Sequence, residues 1–296
     1  MNDRFPGRTH AGEQAVQQRV GEGGPGRGSP MFGPEIATGH AEFIASRRML
    51  VLGAAAGDLV WATILAGAKG FARPVDGRTI RIAGLPADGD PLRDAFEVPC
   101  DGGMLALDPA RCRRVRANGR IHRDGQGLVL RTEQVLRNCP KYIQQRELAP
   151  DADPARSRAV AGSELTERQR EWIASADTFF VASHASGHGA DASHRGGKAG
   201  FVTVTGSRRL SWPDYRGNSF YMTLGNVELD PRCGLLFLDW SRGNTLHLTG
   251  ESHVDWHDRA EPGAIRTVHF TIRRVVQVDH ATTLRWHPSE ASSFNP

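Results

Sequence analysis

Lysine and cysteine are both scarce in this sequence of 296 residues. Three of the 37 basic residues are lysines, and the four cysteines include no C-x-x-C pair, so the usual spacings of zinc and dithiol sites are missing. The polar opening MNDRFPGRTH also lacks the apolar core of a secretory signal. We therefore expect free thiols and a reducing, cytoplasmic compartment.

A large excess of one charge is also lacking. The formal net charge is +4, and the arginines are interspersed with 33 acidic residues. This pattern does not form the basic patch that a nucleic-acid-binding protein needs. Because the guanidinium fork matches phosphate geometry, an anionic small molecule such as a phosphate ester is the expected partner.

The one long apolar run argues against a membrane span. Residues 49–68 have about the length of a transmembrane helix, but Asp58 lies at their centre, where an acidic residue is costly. Gly57-Asp58 is also a turn signal between two apolar segments. The run therefore predicts a β-hairpin with strands Met49–Ala55 and Leu59–Leu65, and we expect no contact with a membrane.

Composition divides the chain into five segments. The Gly-, Arg- and Pro-rich beginning is typical of flexible sequence, with a short helix expected over Gly12–Val20. A Pro-, Ala- and Asp-rich stretch in the middle is typical of a linker. The predicted organisation is a flexible segment 1–37, a first β-domain 38–146, a linker 147–163, a second β-domain 164–286 and a tail 287–296.

The two β-domains resemble each other in sequence. Short matches keep their order along the chain, with an offset that rises only from 129 to 131 over the first four. The matched segments are 43–46 with 172–175, 61–71 with 191–201, 103–108 with 234–239, 115–119 with 246–250, and 127–130 with the strand at 268–272. We interpret this order as an internal duplication of one domain.

Period-two alternation predicts the fold of each copy. Leu246 and Leu248 alternate with polar residues, as expected of half-buried antiparallel strands. Helices are expected from Ser163, as the N-cap, to Ala176, and after a turn at Arg216 up to Leu229. The predicted fold class is therefore mostly β, with tandem antiparallel barrels of five or six strands and small flanking helices.

Histidine spacing does not predict a metal site. His184 and His188 have the spacing of zinc ligands on a helix, but they lie in Gly- and Ser-rich sequence. His253 and His257 have the same spacing without the adjacent glutamate of metalloproteases. No G-x-S-x-G elbow or phosphate-binding loop motif occurs either. These signals leave hydrolase and metal-dependent classes without support.

The two copies differ at a place that points to a ligand. Ile64-Leu65 in the first copy stands where the second has His194-Arg195, next to Ser193, Gly196-Gly197 and Lys198. Gly217-Asn218, expected at the start of a helix, would present free N–H groups to an anion. Together with Arg195, Lys198 and Arg216 these groups suit a phosphate. A polar barrel rim with ordinary turns is the alternative interpretation.

These residues also carry a resemblance to a known family. The sequence resembles the flavin-binding split-barrel proteins related to pyridoxamine 5′-phosphate oxidase, over roughly residues 38–286. The similar strings are Ser193–Gly197, Phe201-Val202, Pro213–Asn218, Thr223–Asn226, Asp230-Pro231 and Gly234–Asp239. Asn138–Ile143 also looks like a motif of that broad group, and Ala11–Gln17 is similar to the start of its longer, two-barrel members. The Arg and Lys phosphate pair and the pyridoxal-phosphate signature of the true oxidase are missing, so we do not expect that reaction.

The resemblance implies a fold and a cofactor. It implies six-stranded split barrels, with flavin mononucleotide (FMN) in a crevice between two barrels, usually of two subunits, so that a homodimer is also permitted. Ser193–Gly197 would lie beside the flavin ring, and Asn226 would stabilise the following helix or touch the ligand. The residues expected near the phosphate and ribityl chain are Asp214, Tyr215, Gly217 and Asn218.

The resemblance also suggests separate roles for the two domains. The first would be a degenerate barrel that binds no flavin and supplies the opposite wall, with Asn138, Lys141 and Tyr142 facing the flavin of the second. His194 or Arg195 near N1 would stabilise the reduced ring.

Three functions stay open at this point. The first is an FMN-dependent oxidoreductase acting on a small substrate, with a deazaflavin as a variant. The second is a non-catalytic flavin- or haem-binding carrier or sensor, with haem permitted by His184, His188 and His194. The third is an interaction module without a cofactor.

Overall fold

The computed structural model describes residues 9–22, 33–137, 139–217, 219–259 and 261–289. Within these ranges most of the chain forms two antiparallel sheets. The first sheet contains β1 (Met49–Ala56), β2 (Leu59–Ala66), β3 (Ala72–Asp76), β4 (Thr79–Ile82), β5 (Cys100–Asp108), β6 (Arg113–Asp124) and β7 (Gly127–Arg137). After the short strands β8 (Arg146–Leu148) and β9 (Arg158–Gly162), the second contains β10 (Thr178–Ala185), β11 (Gly189–Gly196), β12 (Thr203–Val204), β13 (Arg209–Tyr215), β14 (Arg232–Leu238), β15 (Thr245–Asp255) and β16 (Ala264–Asp279). A last strand, β17 (Trp286–Pro288), pairs with β8.

The two sheets have the same strand order. The first runs β2-β1-β5-β6-β7-β4-β3, and the second runs β11-β10-β14-β15-β16-β13-β12, with β9 added beside β16. Each sheet curls around its own apolar core, which in the first sheet brings Leu65 of β2 and Ala72 of β3 into one cluster. The predicted mostly-β class with tandem antiparallel split barrels is confirmed. The first sheet has seven strands, because β3 also pairs with its hairpin partner, and the second has eight, because β12 and β9 are added.

Four short helices flank the barrels. They are α1 (Ala11–Arg19), α2 (Thr38–Ala45), α3 (Glu167–Ala174) and α4 (Met222–Leu229). Helix α3 begins later than predicted, because Thr166 and not Ser163 is its N-cap. The Thr166 side chain accepts a hydrogen bond from Gln169 N, and the Gln169 side chain accepts one from Thr166 N. This reciprocal capping satisfies two otherwise free donors and so fixes the start of the helix.

The apolar run near residue 50 forms the predicted hairpin. Strands β1 and β2 pair in full register from Met49 to Ala56, around Gly57 with a φ of +62°. Leu50 points into the core of the first barrel, whereas Val51 packs against the second. Both faces of β1 are therefore buried, which explains an unbroken apolar segment without a membrane. No helix among the described residues is long and apolar enough to span a bilayer.

The barrels pack against each other through β1, β2 and β5 of the first and β10, β11 and β14 of the second. Two glycines allow the backbones to approach closely. A Cβ on Gly103 would lie 2.5 Å from Ala192 N, and one on Gly234 would lie 2.6 Å from Trp61 Cα. The centre of the contact is apolar, with a cluster that includes Val51, Val60, Ala62, Leu105, Phe180, Ala192 and Leu236.

The expected flexible segment and linker contain ordered structure. Helix α1, close to the predicted Gly12–Val20, docks on α4, where Gly12 lies against the main chain of Gly225. In the expected linker 147–163, β9 forms a ladder with β16. Local composition does not reveal either contact, because both depend on partners distant in sequence. Residues 1–8 and 23–32, and most of the tail from residue 290, lie outside the described residues, and the domain limits stay predictions.

The interface glycines generate a test. Gly103→Ala should lower the free energy of unfolding by about 1–3 kcal/mol, the usual cost of overpacking, because the added methyl meets main-chain atoms that cannot rotate away. Gly39→Ala in α2 is the control, since a Cβ there meets nothing within 4 Å. Urea unfolding of both variants measures the difference, and equal stability of the two would contradict the proposed role of Gly103.

Candidate functional site

A cleft opens where the two barrels meet. It encloses about 830 Å³ of empty space, part of which is open to solvent. The first barrel contributes Arg114 and Arg116 from β6 and Cys139, Lys141 and Tyr142 from the segment after β7. The second barrel contributes His194, Arg195 and Gly196 from β11, and Asp214 and Tyr215 from β13. It also contributes Phe201, Gly217 and residues 219–224, which lead into α4. The cleft is thus a feature of the pair of barrels and not of either alone.

One arginine of the cleft has a carboxylate partner on the opposite barrel. Arg116 donates from Nη1 to Asp191 Oδ1 at 2.9 Å and from Nη2 to Ser193 Oγ at 2.7 Å. Thr223, at the start of α4, donates to the other oxygen of Asp191 at 3.0 Å. All four side chains are buried, so the bonds hold β6, β11 and α4 together.

Two further arginines have no such partner. Among the described residues, no carboxylate forms an ion pair with Arg114 of β6 or Arg195 of β11. Burial, together with the nearby Arg116 and Arg195, lowers the pKa of Arg114 to about 9. Burial also lowers the pKa of Arg195. The cleft therefore holds an excess of positive charge that an entering anion would stabilise.

His194 adds an unpaired hydrogen-bonding group. Its ring is 3% exposed, and its Nδ1 lies 3.1 Å from Arg114 Nη1. Because Arg114 can only donate, Nδ1 accepts and the proton of the neutral ring is on Nε2. Burial and Arg114 hold the pKa of His194 well below its usual value, which favours this neutral form. Nε2 has no partner among the described residues, so His194 provides a free donor beside the arginines.

The segment after β7 forms the opposite side of the cleft. The rings of Tyr142 and Tyr215 stack with centroids 5.1 Å apart. Tyr142 OH donates to Arg216 O at 3.1 Å, and Gln144 Nε2 donates to Gly197 O at 2.6 Å. Gly196 is required here because a Cβ would collide with the carbonyl oxygen of Tyr142. The first barrel thereby contacts the end of β11 directly.

Asp214 faces the cleft as half of an ion pair. Its Oδ2 lies 2.9 Å from Nε of Arg266, which is 2% exposed. The guanidinium of Arg266 lies between the rings of Tyr221 and Trp256, at 5.2 and 5.0 Å from their centroids. Stacking and pairing together offset the cost of burying this charge. Asp214 therefore pairs with Arg266 and also offsets part of the charge of Arg195 across the cleft.

The structure brings most of the sequence-predicted residues together. The cleft is lined by His194, Arg195, Gly196, Asp214, Tyr215, Gly217, Lys141 and Tyr142. Ser193 lies behind it, where it accepts hydrogen bonds from Arg116 and Arg195. Asn138 and Asn218 lie outside the described residues.

Three predicted residues lie away from the cleft wall. Lys198 is exposed in the turn after β11, because the bond from Phe201 N to its carbonyl turns the chain away. Gly197 accepts from Gln144. Asn226 donates from Nδ2 to Ser183 Oγ at 2.9 Å and lies 3.0 Å from His10 Nε2, so it fixes α4 between β10 and α1.

Two local expectations near α4 need correction. Gly217 is not at a helix start, because α4 begins at Met222 after Ser219 and Tyr221 adopt positive φ values of 64° and 56°. Asp214 and Tyr215 belong to the end of β13 and not to a loop. The positive groups that line the cleft are therefore arginine and lysine side chains and not the N-terminus expected at Gly217.

The histidines expected to form a rim do not converge. His184 Nε2 lies 3.5 Å from Asp101 Oδ2. His188 instead stacks on His10 of the N-terminal segment, with ring centroids 4.8 Å apart. His194 is therefore the one member of the expected rim that lines the cleft, and the described residues contain no cluster of three or more metal-ligating side chains.

Sequence reasoning missed Arg114, Arg116 and the contribution of α1. The alternation of Arg114, Val115 and Arg116 was a readable signal, since it places both guanidinium groups on one face of a strand. Their convergence on β11 was not readable, because it depends on the register between the barrels.

Helix α1 buries two titratable groups beside this network. Glu13 is 3% exposed, and burial raises its pKa to about 8, with Asp191 acting in the same direction. Burial and the neighbouring His188 lower the pKa of His10 to about 4. Glu13 accepts from His10 N at 2.8 Å, which closes the cap of α1. The docked helix therefore favours an uncharged Glu13 and an uncharged His10.

Comparison with known proteins gives similarity to solved structures alone. No family model and no curated protein matches the chain. HupZ from Group A Streptococcus is 10% identical, with a TM-score of 0.32 and coverage of 38% of this chain and 91% of its own. A proposed pyridoxamine 5′-phosphate oxidase from Lactobacillus delbrueckii is 16% identical, with a TM-score of 0.31 and coverage of 38% and 94%. A protein related to general stress protein 26, of the pyridoxinephosphate oxidase family, from Clostridium acetobutylicum is 12% identical, with a TM-score of 0.30 and coverage of 41% and 92%.

The Glu13 carboxyl predicts how stability depends on pH. Its pKa is higher in the folded chain than the ordinary 4.5, so its contribution is present below pH 4.5 and is lost as pH rises towards 8. Glu13→Gln should therefore raise the free energy of unfolding at pH 8 by about 1–3 kcal/mol and change it less at pH 5. Urea unfolding from pH 5 to 8.5 measures this, with Glu171→Gln on the exposed side of α3 as control. Parallel pH profiles for wild type and Glu13→Gln would refute the assignment.

Proposed function

We propose that the cleft binds FMN and that the protein is a flavin-dependent oxidoreductase acting on a small substrate. The observation that carries the proposal is the excess positive charge of the cleft around Arg114 and Arg195, which come from opposite barrels and form no direct ion pair with a carboxylate of the described residues. A phosphate monoester is an anion that a guanidinium fork binds with two parallel hydrogen bonds. The family resemblance of the β11 motif supplies the identity of that ester.

The remainder of the cleft supports a ligand with a flat ring. Tyr142, Tyr215 and Phe201 offer aromatic surface along its walls. Strand β11 is the end strand of its sheet, so the ladder leaves main-chain groups on its outer edge for a heterocycle. The donor at His194 Nε2 adds a directional contact. These features fit a ligand that combines a phosphate with a polar aromatic ring.

FMN would supply the hydride and electron transfer chemistry when bound. The residues of the chain would bind and orient it. Arg114 and Arg195 would hold negative charge, and His194 would donate a hydrogen bond from Nε2. The segment around Tyr142, which covers the end of β11, would limit access of water from that side. Positive groups already fixed in the cleft need no reorganisation when negative charge develops on a reduced ring.

The visible spectrum of the purified protein, followed by titration with FMN and riboflavin, tests the proposal. Flavin bands should bleach on anaerobic addition of NADPH and return in air. FMN should bind at least about tenfold more tightly than riboflavin, because its phosphate meets the arginines. A colourless protein that binds neither flavin would contradict the proposal, and a Soret band on addition of haem would favour a haem-binding carrier.

Arg114→Met separates ligand binding from stability. The variant should lower FMN affinity about tenfold or more, because it removes a charged donor from the cleft. It should also raise the melting temperature of the ligand-free protein, because it relieves repulsion from Arg116 and Arg195. Arg242→Met, at a mostly exposed arginine outside the cleft, is the matched control. A variant that loses stability and binds FMN normally would show that Arg114 is structural.

A further inference from the structure

The equal strand order of the barrels gives each position in the cleft a counterpart. In the second barrel Phe180 pairs with both His194 and Leu236. In the first, Val51 pairs with both Ile64 and Leu105. The sequence match of 61–71 with 191–201 sets the two pairings side by side. Ile64 is therefore the structural counterpart of His194, and the next residue along β2, Leu65, is the counterpart of Arg195.

The same argument applies to the strands that bring the cleft arginines. Arg116 pairs with Leu105 in the first barrel, and His247 pairs with Leu236 in the second. His247 is therefore the counterpart of Arg116, and Thr245, two residues earlier, is the counterpart of Arg114. The equivalence of the barrels thus defines a second position between them that corresponds to the cleft. In this second position Ile64 and Leu65 stand in place of His194 and Arg195, and Thr245 and His247 stand in place of Arg114 and Arg116.

The chain itself fills this second position with a carboxyl group. Asp90 comes from the connection between β4 and β5, the place that α4 takes between β13 and β14 in the other barrel. Its Oδ2 accepts a hydrogen bond from Thr63, the counterpart of Ser193, and lies 3.6 Å from His247 Nε2. Its Oδ1 accepts from Leu92 N at 2.8 Å. In the open cleft Ser193 accepts hydrogen bonds from Arg116 and Arg195, and the carboxylate paired with Arg116 is Asp191 of β11.

The ring of His247 ties this carboxyl group to both barrels. Nδ1 lies 2.8 Å from Ala62 O on β2, and Nε2 lies 2.8 Å from Thr245 Oγ1 on β15. Thr63, Thr245 and His247 are fully buried, and Asp90 is 5% exposed. The position is therefore filled by protein and closed to solvent.

We propose that this second position is a closed counterpart of the ligand cleft, in which Ile64, Leu65 and Thr245 replace its polar and cationic groups and Asp90 bonds to the counterparts of Ser193 and Arg116, so that each chain takes up one ligand and not two. The stoichiometry rests on the proposed function, whereas the role of Asp90 does not. The cluster Thr63–Asp90–His247 then acts as an internal clamp between β2 of the first barrel and β15 of the second. The excess of cations in the open cleft and their replacement in the closed one explain why only one needs an external anion.

Chemical rescue tests the closed site independently of flavin. Asp90→Ala should lower the melting temperature, and about 100 mM formate should recover at least about half of the loss in a saturable way, because formate can enter the space left by the carboxyl group. Chloride at equal ionic strength should not do so. Asp94→Ala, at an exposed residue of the same connection, is the control and should respond to neither salt. Absence of formate-specific recovery would overturn the assigned role of Asp90.

A second pair of variants covers the case in which Asp90→Ala does not fold. Asp90→Asn keeps the shape of the side chain, and His247→Gln keeps a polar side chain of similar reach. The double variant should lose less stability than the sum of the two single losses, because both remove the same contact. Additive losses would overturn the clamp.

Titration of the wild-type chain with FMN tests the stoichiometry. One FMN per chain is expected, and Asp90→Asn should change its affinity by less than about twofold. Two equivalents per chain would overturn the closed site. No binding at all would refute the proposed function, while the formate experiment would still decide the role of Asp90.

Discussion

Close contact between the two barrels sets the width of the cleft. Gly103 and Gly234 allow main-chain atoms of one barrel to touch the other, and the apolar side chains around them exclude water. At this distance a side chain on β6 can reach β11, as Arg116 does with Asp191. A separation larger by the size of a methyl group would lengthen that bond beyond useful range. The geometry of the cleft therefore depends on packing that lies outside it.

Burying unpaired polar groups in the cleft costs free energy that contacts elsewhere in the molecule must offset. Among the described residues, Arg114 and His194 each place an unpaired nitrogen in a buried position, and burial, together with repulsion from Arg116 and Arg195, lowers the pKa of Arg114. A fold selected for stability alone would pair or remove such groups, as the related position does with Asp90 and His247. Leaving such groups unpaired in only one of two related positions is typical of a ligand-binding site.

Local patterns predicted the parts of this structure that depend on local physics. The turn at Gly57 and the alternation along β15 follow from backbone freedom and from burial of one face, so the hairpin and the strands were predictable. The difference in sequence between the two domains singled out the polar end of β11, where His194 and Arg195 line the cleft, and a ligand there stays a prediction. What the sequence could not predict were contacts between distant elements. Arg114 approaches His194 only once the barrels have docked, and Gly12 acquires its meaning from Gly225.

The docking of α1 on α4 has a consequence for how the protein matures on the ribosome. The two helices are separated by more than 200 residues, so at ordinary elongation rates about 10 to 40 seconds pass between their emergence. A helix of nine residues has little stability of its own in water. The first barrel can fold during this interval, whereas α1 has no surface to bind until the second barrel is complete. Among the described helices, the one synthesised first is thus among the last to dock, and it does so only after most of the second barrel has been translated.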